Sequence, residues 1–236
     1  MPVVLVPGML CDAALWDDVR SVFTGPIVEV VPDVPTITGM AKQVLAAVDG
    51  PFALVGLSLG AIVGFEVCRR APKRVIALAA CSTNAGAPRP EQLTGWTAAD
   101  RMVAQGLFEQ VIDQTVLPGM FHTHEPSALL EHRFRAMARR VGPERFRAQL
   151  AAQATRNSAL DALAHYGGPV LALSGTADVL CPLAFHQAIT TAAPRGQLIT
   201  IPGGGHLLPW DQPRATRAAL ADWYVTATEV HQGTQA

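Results

Sequence analysis

Charge is scarce in this chain. Only 16% of its 236 residues are charged, and 18 basic against 19 acidic side chains leave a formal net charge of −1. With no excess of either sign, it exerts no global attraction on nucleic acid or on an anionic membrane surface. Cysteine is sparse too: Cys11, Cys68, Cys81 and Cys181 lie far apart and form no C-x-x-C pair. That pattern fits small buried thiols in a reducing compartment rather than a disulfide framework. The opening Met-Pro-Val-Val-Leu-Val carries no basic segment ahead of its apolar residues, so a cytoplasmic protein is expected. A long hydrophobic run is also missing: the uncharged stretch 51–65 is too short to span a membrane. Neither internal repeats nor low-complexity segments occur.

What is present is apolar bulk. Half the residues are hydrophobic, and a chain of this size hides roughly 70–75% of its unfolded surface, enough to hold a core without metal or disulfide. Short aliphatic runs at 3–6, 27–31, 52–55, 75–80, 170–173 and 197–201 are continuous rather than alternating. Such runs suit strands covered on both faces, as in a parallel sheet. Helical patterns lie between them. Asp12 can cap a helix carrying Leu15, Trp16, Val19 and Phe23; a second stripe runs from Ile37 to Val48; a third covers 59–70. Two more cover 182–193 and 213 to about 228, and the residues from 231 on read as a frayed tail. Strands alternating with helices predict an α/β fold with right-handed crossovers. The alternation fails between 86 and 168, where only helical patterns occur (97–116, 127–141, 143–155). The expected organisation is a core of 1–85 and 169–236 with an all-helical cap, 86–168, placed over the carboxyl ends of the strands.

Gly56-Leu-Ser-Leu-Gly60 is the stretch that asks for an explanation. A serine here is either part of a membrane span, a packing residue, or a nucleophile held on a sharp turn. The span is too short, and the strand-before, helix-after context is the one in which G-x-S-x-G carries meaning. A hydroxyl of ordinary acidity needs a base. His206, in GGGHLLPWDQP, follows the last strand and sits at the same edge of the sheet as Ser58. His122, His124, His132 and His165 fall in the cap region, His186 lies within a helix, and His231 in the tail; each reads as a solvated or packing histidine. His122-x-His124 lacks a convincing third metal ligand beyond Glu125, so no metal is expected. For the carboxylate, Asp178 in SGTADVLCP follows the fifth strand; its rivals are Asp33 and Asp211, the latter better suited to capping the last helix.

At these residues the chain resembles the α/β-hydrolase superfamily, in its form with a small helical cap. The resemblance runs through VVLVPGMLCDAALW, LVGLSLGAIVGFEV, LALSGTADVLCP and IPGGGHLLPWDQP in that order, essentially the whole chain except the cap. It implies a mostly parallel six-stranded sheet with helices on both faces, since the chain begins at what resembles the superfamily's third strand. It also implies Ser58 as nucleophile, His206 as base and Asp178 as its partner. The backbone N–H groups of Met9 and Leu59 are the implied oxyanion donors. Where relatives carry His-Gly after the first strand, this chain has Pro7-Gly8.

The implied reaction is hydrolysis of a carboxylic ester, lactone or thioester through an acyl-enzyme, with no metal or organic cofactor. Two alternatives stay open: a C–C bond-cleaving or non-hydrolytic reaction on the same three residues, or a small-molecule binding protein without turnover. Leu10, Trp96, Met102, Phe108, Met120 and Phe121 are candidates to line the substrate pocket, and Cys11 and Cys181 flank the oxyanion and acid loops without a catalytic role. Arg133, Arg135, Arg139, Arg140, Arg145, Arg147 and Arg156 stand against the single acid Glu144. They form either a solvated helix face or a docking surface for an anionic substrate or an acyl carrier. The expected partner is a small acyl substrate, not nucleic acid or a membrane.

Overall fold

A computed structural model describes residues 1–122 and 128–233. They form one six-stranded parallel sheet in the order β2-β1-β3-β4-β5-β6. Its strands are β1 (Val3–Val6), β2 (Ile27–Glu29), β3 (Phe52–Leu57), β4 (Val75–Cys81), β5 (Val170–Gly175) and β6 (Gly196–Ile201). The helices are α1 (Ile37–Ala46), α2 (Leu59–Arg70), α3 (Pro90–Ala104), α4 (Phe108–Val111), α5 (Ala128–Ala154), α6 (Leu160–Ala164), α7 (Leu183–Ala192), α8 (Leu208–Asp211) and α9 (Pro213–Gly233). None of them is long and apolar enough to cross a membrane.

The continuous apolar runs have the meaning expected of them. Along β1, Val3 and Leu5 enter one core and Val4 and Val6 the other, all fully buried. The first core is closed by α9, α8 and much of the helical segment; the second by α1, α2, α6 and α7. All four cysteines are buried and free.

Three segments differ from expectation. Asp12 does cap, accepting from the Ala14 N–H, but it opens a 3₁₀ turn, Ala13–Trp16, with a second at Arg20–Val22. The i→i+3 bonds there, Leu15 to Asp12 and Val19 to Trp16, tighten the chain enough to bury Leu15, Trp16 and Val19 together. Between β4 and β5 the first helix stops at Ala104 because Gly106 takes φ +83°. The expected break at Gly142 is present inside α5, where φ is +80° ahead of Pro143. The expected tail is helical through Gly233. Among the described residues no strand lies between β4 and β5.

Candidate active site

Ser58 stands where β3 turns into α2, with φ +53° and ψ −114°. A side chain rarely adopts this conformation, which costs of order 1–3 kcal/mol. The surroundings impose it. The Ser58 N–H donates to the Cys81 carbonyl at 2.9 Å, and its carbonyl accepts from Ala61, Ile62 and the Thr83 hydroxyl. The turn is so tight that a Cβ on Gly60 would collide with the Val6 carbonyl, and one on Gly56 with the backbone of Ala61. Serine at a helix N-terminus ordinarily turns its hydroxyl back to cap the helix. Ser58 makes no such bond. Ser58 instead lines a cavity of about 160 Å³ that His206 also lines.

A histidine that sequence reasoning set aside supports this corner. His186 of α7 is fully buried, and its Nε2 accepts the Thr83 backbone N–H at 3.0 Å. Thr83 in turn donates its hydroxyl to the Ser58 carbonyl at 2.9 Å. The chain of contacts runs from α7 through the end of β4 to the elbow. Burial pushes the His186 imidazole down to about 4, against a weaker opposing pull from Asp178. The neutral ring is therefore the folded form. Its stabilisation is complete above the unfolded pKa of 6.5 and is lost as pH falls from 6.5 towards 4. The full shift corresponds to about 3 kcal/mol. Urea melts at pH 7, 5.5 and 4 are expected to show this loss in the wild type. His186→Gln, which can still accept from Thr83 but does not titrate there, should show a flatter acid limb. Parallel curves for the two proteins would remove the assignment.

The loop after β1 supplies the opposite wall. Leu10 is held at φ +60°, and its N–H donates to Oε1 of the buried Gln149 in α5 at 3.0 Å. That bond ties the helical segment to the loop and fixes the chain next to Met9. Among the described residues, the N–H groups of Met9 and Leu59 donate to no protein acceptor. Met9 lines the cavity beside Ser58, and Leu59 lies at the positive end of α2.

Across the cavity, His206 Nδ1 lies 3.0 Å from Asp178 Oδ2. Asp178 Oδ1 accepts from the backbone N–H groups of Leu180 and Cys181, each at 2.9 Å. Burial by itself would raise this carboxyl, but His206 and the two amides outweigh it and hold Asp178 below the usual carboxylate range. An ionised carboxylate only accepts, so Nδ1 carries the hydrogen and Nε2 keeps its lone pair. Asp211 has a different task from the helix cap expected of it. Its Oδ2 accepts from Gly205 N–H at 2.6 Å and His122 N–H at 3.1 Å, pinning the turn before His206 to the helical segment. The approach is close enough that a Cβ on Gly205 would strike the backbone of His122. Asp33 is distant from this arrangement and pairs with Gln43.

A model of the alpha/beta hydrolase family matches residues 3–219. The chain belongs to that family. It is 24% identical over 251 residues to the biotin biosynthesis bifunctional protein BioHC of Cellvibrio japonicus, a match covering 94% of this chain and 47% of the other. The chain thus spans about half the length of that relative. A thermophilic esterase from Thermogutta terrifontis, solved with malate bound, superposes with a TM-score of 0.87 at 26% identity, over 96% of this chain and 90% of that one. The enol-lactonase from Burkholderia xenovorans LB400 shares the fold, with a TM-score of 0.83 at 18% identity over 95% and 91%. Membership of this family describes the fold; what the site does is a separate question.

Asp178, Cys181 and His206 are the group of ligand-type side chains that come closest to a metal set among the described residues, with one atom of each within 4.8 Å of the others. Both Asp178 oxygens are already engaged by N–H donors, and burial pushes the Cys181 thiol well up, keeping it protonated. These donors suit a hydrogen-bonded pair better than a cation. His124 and Glu125 lie outside the described residues.

Trp96 and Met120 line the cavity, as do Met9, Cys11 and Cys181. Leu10 and Phe121, expected at the pocket, are turned into the core instead. Leu10 is fully buried, and Phe121 packs edge-on against Phe134 with centroids 6.5 Å apart. Phe108 faces Phe146 rather than the cavity. The arginines divide sharply. Arg133 pairs with Asp18, Arg135 with Asp113 and Glu131, Arg139 with Glu109, Arg140 with Asp12, Arg145 with Asp33 and Arg147 with Asp100. Most of these acids come from distant parts of the chain, which is why the local sequence looked uncompensated. Arg156 points the other way, into the cavity wall.

Proposed function

We propose that this α/β hydrolase cleaves a carboxylic ester, or the related lactone or thioester, through an acyl-enzyme on Ser58. The observation that carries the reading is the His206–Asp178 hydrogen bond at 3.0 Å on the same cavity as a strained, uncapped serine. His206 Nε2 takes the Ser58 proton as Oγ attacks the carbonyl carbon, and the pair with Asp178 stabilises the imidazolium. The carbonyl oxygen becomes an oxyanion received by the Met9 and Leu59 amides, a donor type whose loss costs ~10²–10³ in rate in comparable sites. Collapse expels the alcohol, which takes the proton back from His206. Water, deprotonated by the same imidazole, then releases the acid and frees Ser58. Likeness to an esterase supports this choice of bond, and the apolar contributions of Trp96 and Met120 to the cavity suit a small acyl chain.

The test is a fluorophosphonate probe with mass-spectrometric mapping of the adduct, run beside p-nitrophenyl esters of graded acyl length. The expected result is a single adduct on Ser58 and turnover of short-chain esters. An adduct on Ser58 without ester turnover points to a C–C bond-cleaving or non-hydrolytic reaction on the same residues. No adduct and no turnover would leave a binding protein.

A further inference from the structure

Six of the seven arginines between 133 and 156 have a carboxylate partner at the surface; Arg156 is only 5% exposed and has none among the described residues. Its two terminal nitrogens donate to Gln153 Oε1 at 2.8 Å and Gln92 Oε1 at 3.0 Å, and its guanidinium carbon lies 5.4 Å from the Trp96 ring centre. Every one of these partners is neutral. The Nε hydrogen is buried with no acceptor at all among the described residues.

Neutral partners orient a guanidinium without cancelling its charge. A cation taken out of water without a counter-ion costs several kcal/mol, so an uncompensated one is a standing demand for an anion. Among the described residues nothing nearby meets it. Arg89 repels it, and the Cys181 thiol stays protonated. Glu66, on the adjoining hollow of about 340 Å³, is already held by Arg69 and Arg70. Arg156 lines both that hollow and the 160 Å³ cavity containing Ser58 and His206.

We propose that Arg156 is the binding group for a carboxylate carried by the substrate, so that this enzyme acts on esters of which the acyl or the alcohol part is an anion. One positive charge set among neutral amides matches one negative charge, and the planar fork fits a carboxylate. The substrate class rests on the ester-hydrolase reading; the anion site does not.

The two are separated by measuring binding and turnover in parallel. Glutarate and the neutral glutaramide are titrated into wild-type protein and Arg156→Gln by calorimetry and by thermal shift. Turnover is compared for p-nitrophenyl hydrogen glutarate against p-nitrophenyl valerate, and for the butyryl ester of 4-hydroxybenzoate against phenyl butyrate. Wild-type protein is expected to bind glutarate but not glutaramide, and to prefer the anionic member of at least one pair. In Arg156→Gln that ratio of kcat/KM should fall roughly 10- to 100-fold, the range of one hydrogen bond to a charged group. Glutarate binding that depends on Arg156, with no ester turned over, would keep the anion site and discard the ester reading. A wild type that neither binds glutarate nor prefers an anionic ester overturns the proposal, even if the variant fails to fold. So does an unchanged ratio in a folded variant.

Discussion

Ser58→Ala is expected to lower kcat for ester turnover by roughly 10⁵- to 10⁶-fold, the size of loss seen when a nucleophile acting as part of a unit is removed. The Met9 and Leu59 amides remain in place, so a small residual rate over water should persist. The fold should survive, because the Ser58 hydroxyl does not cap the helix it opens. The same position carries a stability prediction of the opposite kind. Alanine keeps the strain of φ +53°, whereas glycine adopts that conformation freely. Ser58→Gly should therefore be more stable than Ser58→Ala by about 1 kcal/mol, which reverses the ordinary order of these residues. In a chain of this length that is a difference of roughly 2–4 °C in Tm. Equal turnover in Ser58→Ala and wild type would end the nucleophile assignment. An alanine variant that melts above the glycine one would mean the elbow is not strained.

Asp178→Asn is the second large effect, expected at roughly 10⁴-fold in kcat. The geometry shows why a change of one atom matters. Oδ1 must go on accepting from the Leu180 and Cys181 amides, so the asparagine oxygen takes that place and its NH₂ turns to His206. A donor facing Nδ1 forces the hydrogen onto Nε2, which can then no longer take a proton from Ser58. Binding of substrate should change far less than kcat. A variant within tenfold of wild type would show that the Asp178–His206 bond does not set the tautomer. The carboxylate also stabilises the fold. Its native pKa is held below the ordinary value, so that contribution is present at neutral pH and is lost as pH falls through the native pKa.

The elbow could be found in the sequence because its causes are local. A glycine two residues to either side of one serine, an aliphatic run before and a helical stripe after, are all short-range signals, and α2 begins at Leu59 as they predict. Asp178 and His206 were legible for a similar reason: each closely follows a strand, and parallel strands put all such positions on one edge. Gln149, Thr83 and His186 gave no comparable signal. Gln149 and His186 each act on a backbone group far away in sequence, Gln149 on Leu10 across 139 positions and His186 on Thr83 across 103. Trp96 and Met120 do line the cavity, but two other pocket candidates are buried away from it for another reason. Apolarity marks Leu10 and Phe121 for burial but does not say whether the buried surface faces a cavity or a neighbouring ring.

Order and spacing along the chain were enough to indicate the layered α/β architecture, the strand edges, and the region where Ser58 and His206 line one cavity with Asp178 bonded to the histidine. They work because hydrophobic periodicity and turn chemistry are properties of neighbouring residues. Which charges are compensated was decided only by folding. Seven arginines that look alike in sequence become six that are ion-paired at the surface and one buried cation beside the Ser58 cavity. A charge's worth depends on what lies within a few ångströms of it, and that neighbourhood is assembled from segments the sequence keeps far apart.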